Sequence, residues 1–503
     1  MLHVLRTKSN SSSIRVDKRN VASVALCVIV VLVFGTAVAS AAERPNVVWI
    51  IADDLSPELG CYGYKGVSTP NMDRLAADGR RYLNAFATAP VCSSSRSALI
   101  TSVTQIVTGT HQHRTSVKRP LPEPVTPLFE LMRRSGYFVC NGNSTLTKAG
   151  KTDYNFEWKG KAFDGVDWTS RQPGQPFFAQ VQIKEPHRDF VTAQNRDRAA
   201  TVQIPSYYPE HPVVRADWAN YLQSIEVLDQ HVGRVLDRLD REGLTDNTVV
   251  FFFGDHGRPH YRDKQWLYDG GLRVPLLIRW PGQLKAGAVH AELVSLLDVT
   301  AATLAVAGEE IPQWMEGRNL LDENFHGRTE VFAARDRCGN TVDRIRCIRT
   351  DRFKLIRNFH PDKPYSVQSG YKVLQYPGLT VAQVLHDRGE LVGPPALFWA
   401  DRRPEYELYD VVADPDEVNN LADDLEHATT LADLQHRLYA WIEASHDQGA
   451  LVEPELEATI TSSEKWYAGR MKQRGLSATI APAKYLKWWE HQLGLQDESR
   501  RRP

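Results

Sequence analysis

The chain has 503 residues, of which 42% are hydrophobic and 24% charged. At roughly 150 residues per domain that makes about three units, or one large domain with a smaller companion, and the composition excludes a disordered chain, a collagen-like fibre and a multi-span membrane protein. Lys and Arg number 60 against 61 for Asp and Glu, a formal net charge of −1, so no overall field holds nucleic acid and any anion must be met by a local pocket.

Residues 1–20 are polar and include Arg6, Lys8, Arg15, Lys18 and Arg19; an apolar run over 21–38 follows and ends at Ala39-Ser40-Ala41. That order predicts a signal peptide over 1–41. The apolar run is also nearly long enough for an uncleaved membrane anchor. Either way the rest of the chain is exported, to a periplasm, the medium or the outer side of a membrane. Beyond Cys27, five cysteines remain: Cys61, Cys92, Cys140, Cys338 and Cys347. An odd number in an exported chain singles one out. Cys338 and Cys347 are near enough in sequence to close a short loop.

Residues 46–52 form a continuous apolar run that ends in Asp53-Asp54, the pattern of a strand buried on both faces. Residues 248–253 repeat it and end in Gly254-Asp255-His256-Gly257. Just before, Leu222, Ile225, Leu228, Val232, Val235 and Leu239 recur at helical spacing, with Gly243 placed to stop the helix. Helix followed by buried strand predicts an α/β domain over 44–330, a large, mostly parallel sheet flanked by helices. Such sheets bind ligands at the carboxyl ends of their strands, so the two acidic clusters are expected to meet there. Another apolar run begins at Gly270-Gly271 and closes at Trp280-Pro281-Gly282. Short mixed strands at 352–359 and 406–412, then a helix carrying Leu425, Leu431, Leu434, Leu438 and Ile442, predict a smaller α+β subdomain with antiparallel strands over 331–450. Residues 451–503 are charged, with Trp466, Trp488 and Trp489 scattered among them, and carry no motif that assigns them a role.

Cys92-Ser93-Ser94-Ser95-Arg96 follows Ala89-Pro90 and precedes apolar residues, so its serines are placed to cap a helix. A cysteine at a helix N-terminus would be an activated thiolate; the plainer alternative is a small buried residue.

Taken in order, the run 46–54 (NVVWIIADD), Thr-Pro-Asn-Met-Asp-Arg-Leu-Ala at 69–76, Cys-Ser-Ser-Ser-Arg at 92–96, Gly150-Lys151, Lys184-Glu185-Pro186-His187-Arg188, Gly254-Asp255-His256-Gly257, the run 264–271 (KQWLYDGG) and the C-terminal stretches 406–410 and 414–421 resemble the sulfatase family, the formylglycine-dependent type I enzymes of the alkaline phosphatase-like superfamily. The likeness runs from about 45 to 422. The stretch 176–178 (PFF) followed by KEPHR is similar to the heparan N-sulfatase group, which implies a sulfated glycan substrate and sulfamate as well as sulfate-ester cleavage.

The resemblance implies that Cys92 is oxidised to formylglycine by a formylglycine-generating or anaerobic maturation enzyme, and that its hydrate is the nucleophile. Asp53, Asp54, Asp255 and His256 then offer oxygen and nitrogen ligands to one divalent cation. Carboxylates suit Ca²⁺, the metal the resemblance implies, and the imidazole leaves Mn²⁺ or Zn²⁺ as lesser alternatives. Arg96 orients the nucleophile, Lys151 and Lys264 meet the sulfate oxygens, and His187 protonates the leaving group. Three positions depart from the family pattern. Ser94 stands where Pro or Ala is usual, His256 stands where many members carry Asn, and Asp153 takes the place of the histidine that usually follows the Gly-Lys pair. His111 and His113 are candidates to replace that histidine or to bind substrate. Two other functions compete: a phosphonate or phosphodiester hydrolase on the same fold, or, should Ser94 block oxidation, a non-catalytic glycan-binding relic. No nucleic-acid partner and no stable protein partner is expected.

Overall fold

Seven strands build the main sheet: β1 (Asn46–Ala52), β2 (Arg80–Phe86), β3 (Phe138–Asn143), β4 (Phe177–Ile183), β5 (Thr248–Gly254), β6 (Arg273–Arg279) and β7 (Ala288–Ser295), in the order β3-β4-β1-β5-β6-β2-β7. All run parallel except β6, which is antiparallel to both neighbours. The structure, a computed structural model, describes residues 44–495 other than 196, together with residues 8 and 10. The expected leader over 1–41 otherwise lies outside the described residues. Among the described residues no helix is long and apolar enough to cross a membrane.

β1 and β5 are wholly buried, as their unbroken apolar runs predict. Alternate residues feed two cores. Val48, Ile50, Val250 and Phe252 pack on one face against the helix Pro212–Arg241, whose stripe of Leu222, Ile225, Leu228, Val232, Val235 and Leu239 is buried there. Trp49 and Phe251 pack on the other face against the helix Leu296–Val306, where the Trp49 indole donates to Thr303 Oγ1 at 2.9 Å. Gly243, at φ +66°, follows the end of the long helix.

A second sheet, β11-β10-β9-β8, is antiparallel throughout: β8 (Val331–Arg335), β9 (Ile345–Arg349), β10 (Phe353–Asn358) and β11 (Tyr406–Asp410). The helix Ala428–Ala444 covers it with Leu434 and Leu438. Leu425 is not part of that stripe; it lies in a short turn before the helix and is exposed. Two further helices, Leu456–Gln473 and Pro482–Gln492, occupy the stretch beyond 450. The described residues from Arg44 onward form one compact unit.

The cysteine pairing does not form. Cys347 sits in β9 opposite Ala333, whereas Cys338 lies beyond the end of β8, and both are free, buried thiols. Burial pushes the Cys347 thiol up to about 12, which keeps it protonated and inert.

The two sheets are joined by a buried charge cluster. Lys354 of β10 pairs with Asp269 and with Glu417 Oε1 (2.7 Å), and donates to the Leu267 carbonyl at 3.1 Å; Glu417 Oε2 in turn accepts from the Asp269 amide at 2.6 Å. Burial raises the Glu417 carboxyl against the pull of Lys354, and with Asp269 nearby it reaches about 7. Lys354→Met would leave the Glu417 carboxyl without its ion-pair partner and Asp269 with Arg349 alone, 3.5 Å away. It is expected to destabilise the protein by about 3–5 kcal/mol, seen as a lower urea midpoint at nearly constant slope.

Candidate active site

β1 and β5 pair in register from Asn46↔Thr248 to Ala52↔Gly254. The ladder continues past both strand ends: the Asp53 amide donates to Ile183 O (3.1 Å), Asp255 to Ala52 O (3.0 Å) and Leu55 to His256 O (3.0 Å). A Cβ at Gly254 would lie 2.5 Å from the Leu55 carbonyl oxygen, so only glycine admits this approach. The two acidic pairs therefore meet, as expected from the strand pattern. Asp54 takes φ +66°, and its amide donates to Asp255 Oδ1 at 3.0 Å. A non-glycine residue in the left-handed region stores strain of the kind that collects at functional sites.

Residue 92 enters the same place from the first turn of the helix Cys92–Thr101. Its Sγ lies 3.2 Å from His256 Nε2, 3.5 Å from Lys264 Nζ and 3.8 Å from Asp54 Oδ1. The serines do not cap this helix: Val91 is the N-cap residue and makes no side-chain cap bond. They lie inside the first turn and fasten it instead. Ser94 Oγ donates to the His111 carbonyl (3.0 Å), Ser95 Oγ to the Asp255 carbonyl (2.5 Å), and Ser93 Oγ accepts from the Arg114 amide (3.1 Å).

Three buried carboxylates this close need compensating charge. Arg96, one turn after Cys92, donates from Nε to Asp255 Oδ2 (2.7 Å) and from Nη1 to Gln182 Oε1 (2.6 Å), and its Nη2 stands 3.5 Å from Asp53. Lys151 grips both oxygens of Asp53 at 2.7–2.8 Å, and Lys264 both oxygens of Asp54 at 2.7 Å. Against the cost of burial, Lys151 holds the Asp53 carboxyl well below the usual range, and Lys264 does the same for Asp54. His187 completes the ring, with Nε2 3.9 Å from Asp54 Oδ2. Burial lowers its pKa, partly opposed by Asp54.

Ligand atoms of Asp53, Asp54, Cys92 and His256 all lie within 4.8 Å of one another. Asp255 stands just outside this group. Its Oδ2 is taken by Arg96, and its Oδ1 by the amides of Asp54 and His256, 3.8 Å from His256 Nε2. His256 Nδ1 lies 2.9 Å from the Gly257 carbonyl oxygen, and Nε2 points inward, 3.0 Å from Asp54 Oδ1 and 3.2 Å from Cys92 Sγ. Burial alone would lower the His256 pKa, but Asp255 and Asp54 outweigh it and push it up to about 10. The centre of the cluster thus favours positive charge, and its oxygen and imidazole donors fit a divalent cation.

The two remaining histidines part company. His113 is half-buried, and Arg114, Asp153 and Lys264 are among the charges that act on it; burial and Arg114 lower its pKa. His111 is buried and faces another way, lining a cavity of about 520 Å³ with Arg119, Asn155, Gln448 and Leu451, none of them part of the cluster. Asp153 is fixed by Arg114 through Nε–Oδ1 (3.0 Å) and Nη2–Oδ2 (2.8 Å), and lies 3.7 Å from Lys151 Nζ. Despite burial, Arg114 and Lys151 hold its carboxyl below the usual range.

Three supporting residues escaped the sequence reading. Gln182, at the end of β4, accepts from Arg96. Arg188, beside His187, forks onto Asp217 and donates to the Pro259 carbonyl (3.0 Å), which locks the loop carrying the histidine. Tyr371 sets its hydroxyl 3.3 Å from His187 Nε2. Arg188 was visible in the KEPHR motif; the other two carry no local signal.

The sulfatase family model matches residues 45–309, and a model for the C-terminal part of N-sulphoglucosamine sulphohydrolases matches 254–368. An ulvan-active sulfatase from Formosa agariphila is 32% identical across 82% of this chain and 77% of its own length. The human N-sulphoglucosamine sulphohydrolase is 27% identical across 80% of this chain and 91% of its own. A solved structure described as a complex with its substrate D-glucosamine-2-N,6-O-disulfate superposes with a TM-score of 0.60 at 19% identity, covering 81% of this chain and 99% of that one. The chain belongs to the sulfatase family, whose members hydrolyse sulfate esters and sulfamates with a metal ion and a formylglycine.

Elemental analysis of the purified protein is expected to find one divalent cation per chain. At a free concentration a hundred times its Kd the cation should add about 2.7 kcal/mol of stability. Calorimetry with and without a chelator measures this increment, and Asp54→Ala should abolish it.

Proposed function

We propose that this protein is an exported sulfatase acting on a sulfated carbohydrate, with Cys92 matured to formylglycine and Ca²⁺ held by Asp53, Asp54 and His256, with Asp255, whose oxygens are engaged by Arg96 and two amides, at the edge of the donor set. The observation that carries the reading is the packing of Cys92 Sγ against Asp54, His256 and Lys264, within 3.8 Å of each. Export rests on the polar-then-apolar order of residues 1–41, and the carbohydrate substrate on the activities for which the relatives are named. The same reading divides the chain into a catalytic domain over 44–330, a smaller subdomain over 331–450 and an extension over 451–503.

Hydrated formylglycine at position 92 supplies two geminal hydroxyls, one to attack sulfur in line and one to expel sulfate afterwards, which a serine with its single hydroxyl could not do. A bound divalent cation would ease loss of the attacking hydroxyl's proton and offset charge on the sulfuryl oxygens. The chain's own groups do the rest. Lys264 faces both residue 92 and Asp54, so its ammonium is ready for a sulfuryl oxygen beside the nucleophile. Lys151 plays the matching part on the Asp53 side. Arg96 fixes the two aspartates and keeps the first helical turn, with residue 92, in place. His187, locked by Arg188, stands where a departing sugar oxygen or nitrogen can take a proton.

Mass spectrometry of the peptide carrying residue 92, from protein made in the native host, is expected to find formylglycine in place of cysteine despite Ser94. An unmodified thiol throughout would favour the glycan-binding relic. Cys92→Ala should abolish turnover while thermal unfolding and cation content stay near wild type. Retained activity in that variant would remove the nucleophile assignment.

A substrate panel then ranks the chemistry. Ulvan-derived and heparin-derived oligosaccharides are expected to be hydrolysed with a higher kcat/KM than bis(4-nitrophenyl) phosphate. The reverse order would make the protein a phosphodiesterase of this fold, a reading that His256 in the donor set favours.

A further inference from the structure

The helices beyond residue 450 are not a detached tail. Leu456–Gln473 packs on the short helix Gly370–Gln375, where a Cβ at Gly370 would stand 3.0 Å from Tyr467 Cβ. Met471 is fully buried, Ser116 and Thr459 share a hydrogen bond of 2.8 Å, and Tyr485 of the last helix donates to the Leu374 carbonyl at 3.0 Å. The short helix is tied to the catalytic loop in turn. Ser369 Oγ donates to Gln265 Oε1 (3.2 Å), next to Lys264, and Lys372 Nζ to the Tyr261 carbonyl (2.7 Å).

This packing aims one aromatic pair at the site. Tyr371 places its hydroxyl 3.3 Å from His187 Nε2 and its ring 5.4 Å from Lys264 Nζ. Tyr371 also packs against Trp466, with ring centroids 6.4 Å apart and planes tilted by 31°. Trp466 is 44% exposed. A large aromatic residue left open to water beside a reaction centre presents a flat apolar face to whatever docks there. The two rings therefore form a contiguous aromatic pair, the half-buried member touching the histidine that faces the leaving group and the other open to water. The apolar C–H face of a pyranose ring is a partner of matching shape and chemistry, and Trp can supply that contact with little rotamer entropy lost.

We propose that Tyr371 and Trp466 form an aromatic shelf on which the sugar bearing the scissile sulfate group, or the sugar next to it, is stacked, so that the helix Leu456–Gln473 is part of the substrate site. The inference rests on the sulfated-carbohydrate reading and adds the surface that holds the leaving sugar.

The test uses the matured, cation-loaded full chain as wild type, W466A and W466F. Kinetics are measured on 4-nitrophenyl sulfate and on whichever sulfated tetrasaccharide, heparin-derived or ulvan-derived, the wild type hydrolyses faster. W466A is expected to raise KM for the tetrasaccharide about three- to tenfold with kcat within about twofold. W466F should recover most of the loss, and the KM ratio for the aryl sulfate should be smaller than that for the tetrasaccharide. An unchanged tetrasaccharide KM, or equal ratios on the two substrates, overturns the shelf. If the wild type hydrolyses neither compound, the enzymatic reading fails on its own, and titration calorimetry with the heparin tetrasaccharide decides the shelf. Weaker binding by W466A supports it, while equal binding, or none by the wild type, overturns it.

Discussion

Pairing β1 with β5 in matched parallel register brings Asp53, Asp54 and Asp255 together in the interior, and the repulsion this creates organises the surrounding structure. Carboxylates out of water stay ionised only if cations stand against them. Arg96, Lys151 and Lys264 supply three such cations, drawn from a helix and two loops far apart in sequence. Each contact is a buried ion pair whose attraction is largely offset by desolvation, so it adds little to stability. Their value lies in geometry. With each lysine spanning both oxygens of one aspartate, the carboxylates cannot rotate away from the space between them.

The same constraint explains why the helix that begins at Cys92 is buried along its whole length despite four serines and an arginine. A helix with so polar a first turn would ordinarily lie at the surface. Here Arg96 answers the aspartates and the serines satisfy backbone groups of neighbouring segments, so the polar atoms are paired. The first turn is thereby held to both the 110–114 loop and the end of β5, and residue 92 inherits that rigidity. A reactive group must be held to within a fraction of an ångström to act on a bound substrate, and this anchoring is built from the side chains flanking it.

Most of the fold was legible in the sequence because its strands are buried on both faces and so read as unbroken apolar runs, while the long helix reads as a stripe. The meeting of the two acidic pairs followed from those strands alone. What escaped detection has a common cause. Helix capping by the serines and the pairing of Cys338 with Cys347 were read from local spacing, but tertiary contacts decided both. Gln182 and Tyr371 reach the site from segments with no motif, and His111 and His113, which would share a face in a strand, part toward different surroundings because the loop they occupy is not one. The extension beyond 450 was opaque because its link to the site runs through Gly370, whose significance is the side chain it lacks.

Position 153 shows how one substitution changes the work a pocket can do. A histidine there could pass a proton at neutral pH. Asp153, ionised and gripped at two points by Arg114, cannot, because taking up a proton would break a charge-assisted fork. It acts instead as a fixed negative charge 3.7 Å from Lys151. That placement strengthens the hold on the lysine's proton and balances the guanidinium at the rim. Of the two histidines considered for the vacated task, His111 is turned into another cavity, whereas His113 stands among Arg114, Asp153 and Lys264 with burial and Arg114 favouring its neutral form. Position 153 thus holds a fixed counter-charge in place of a group that could exchange a proton near neutral pH.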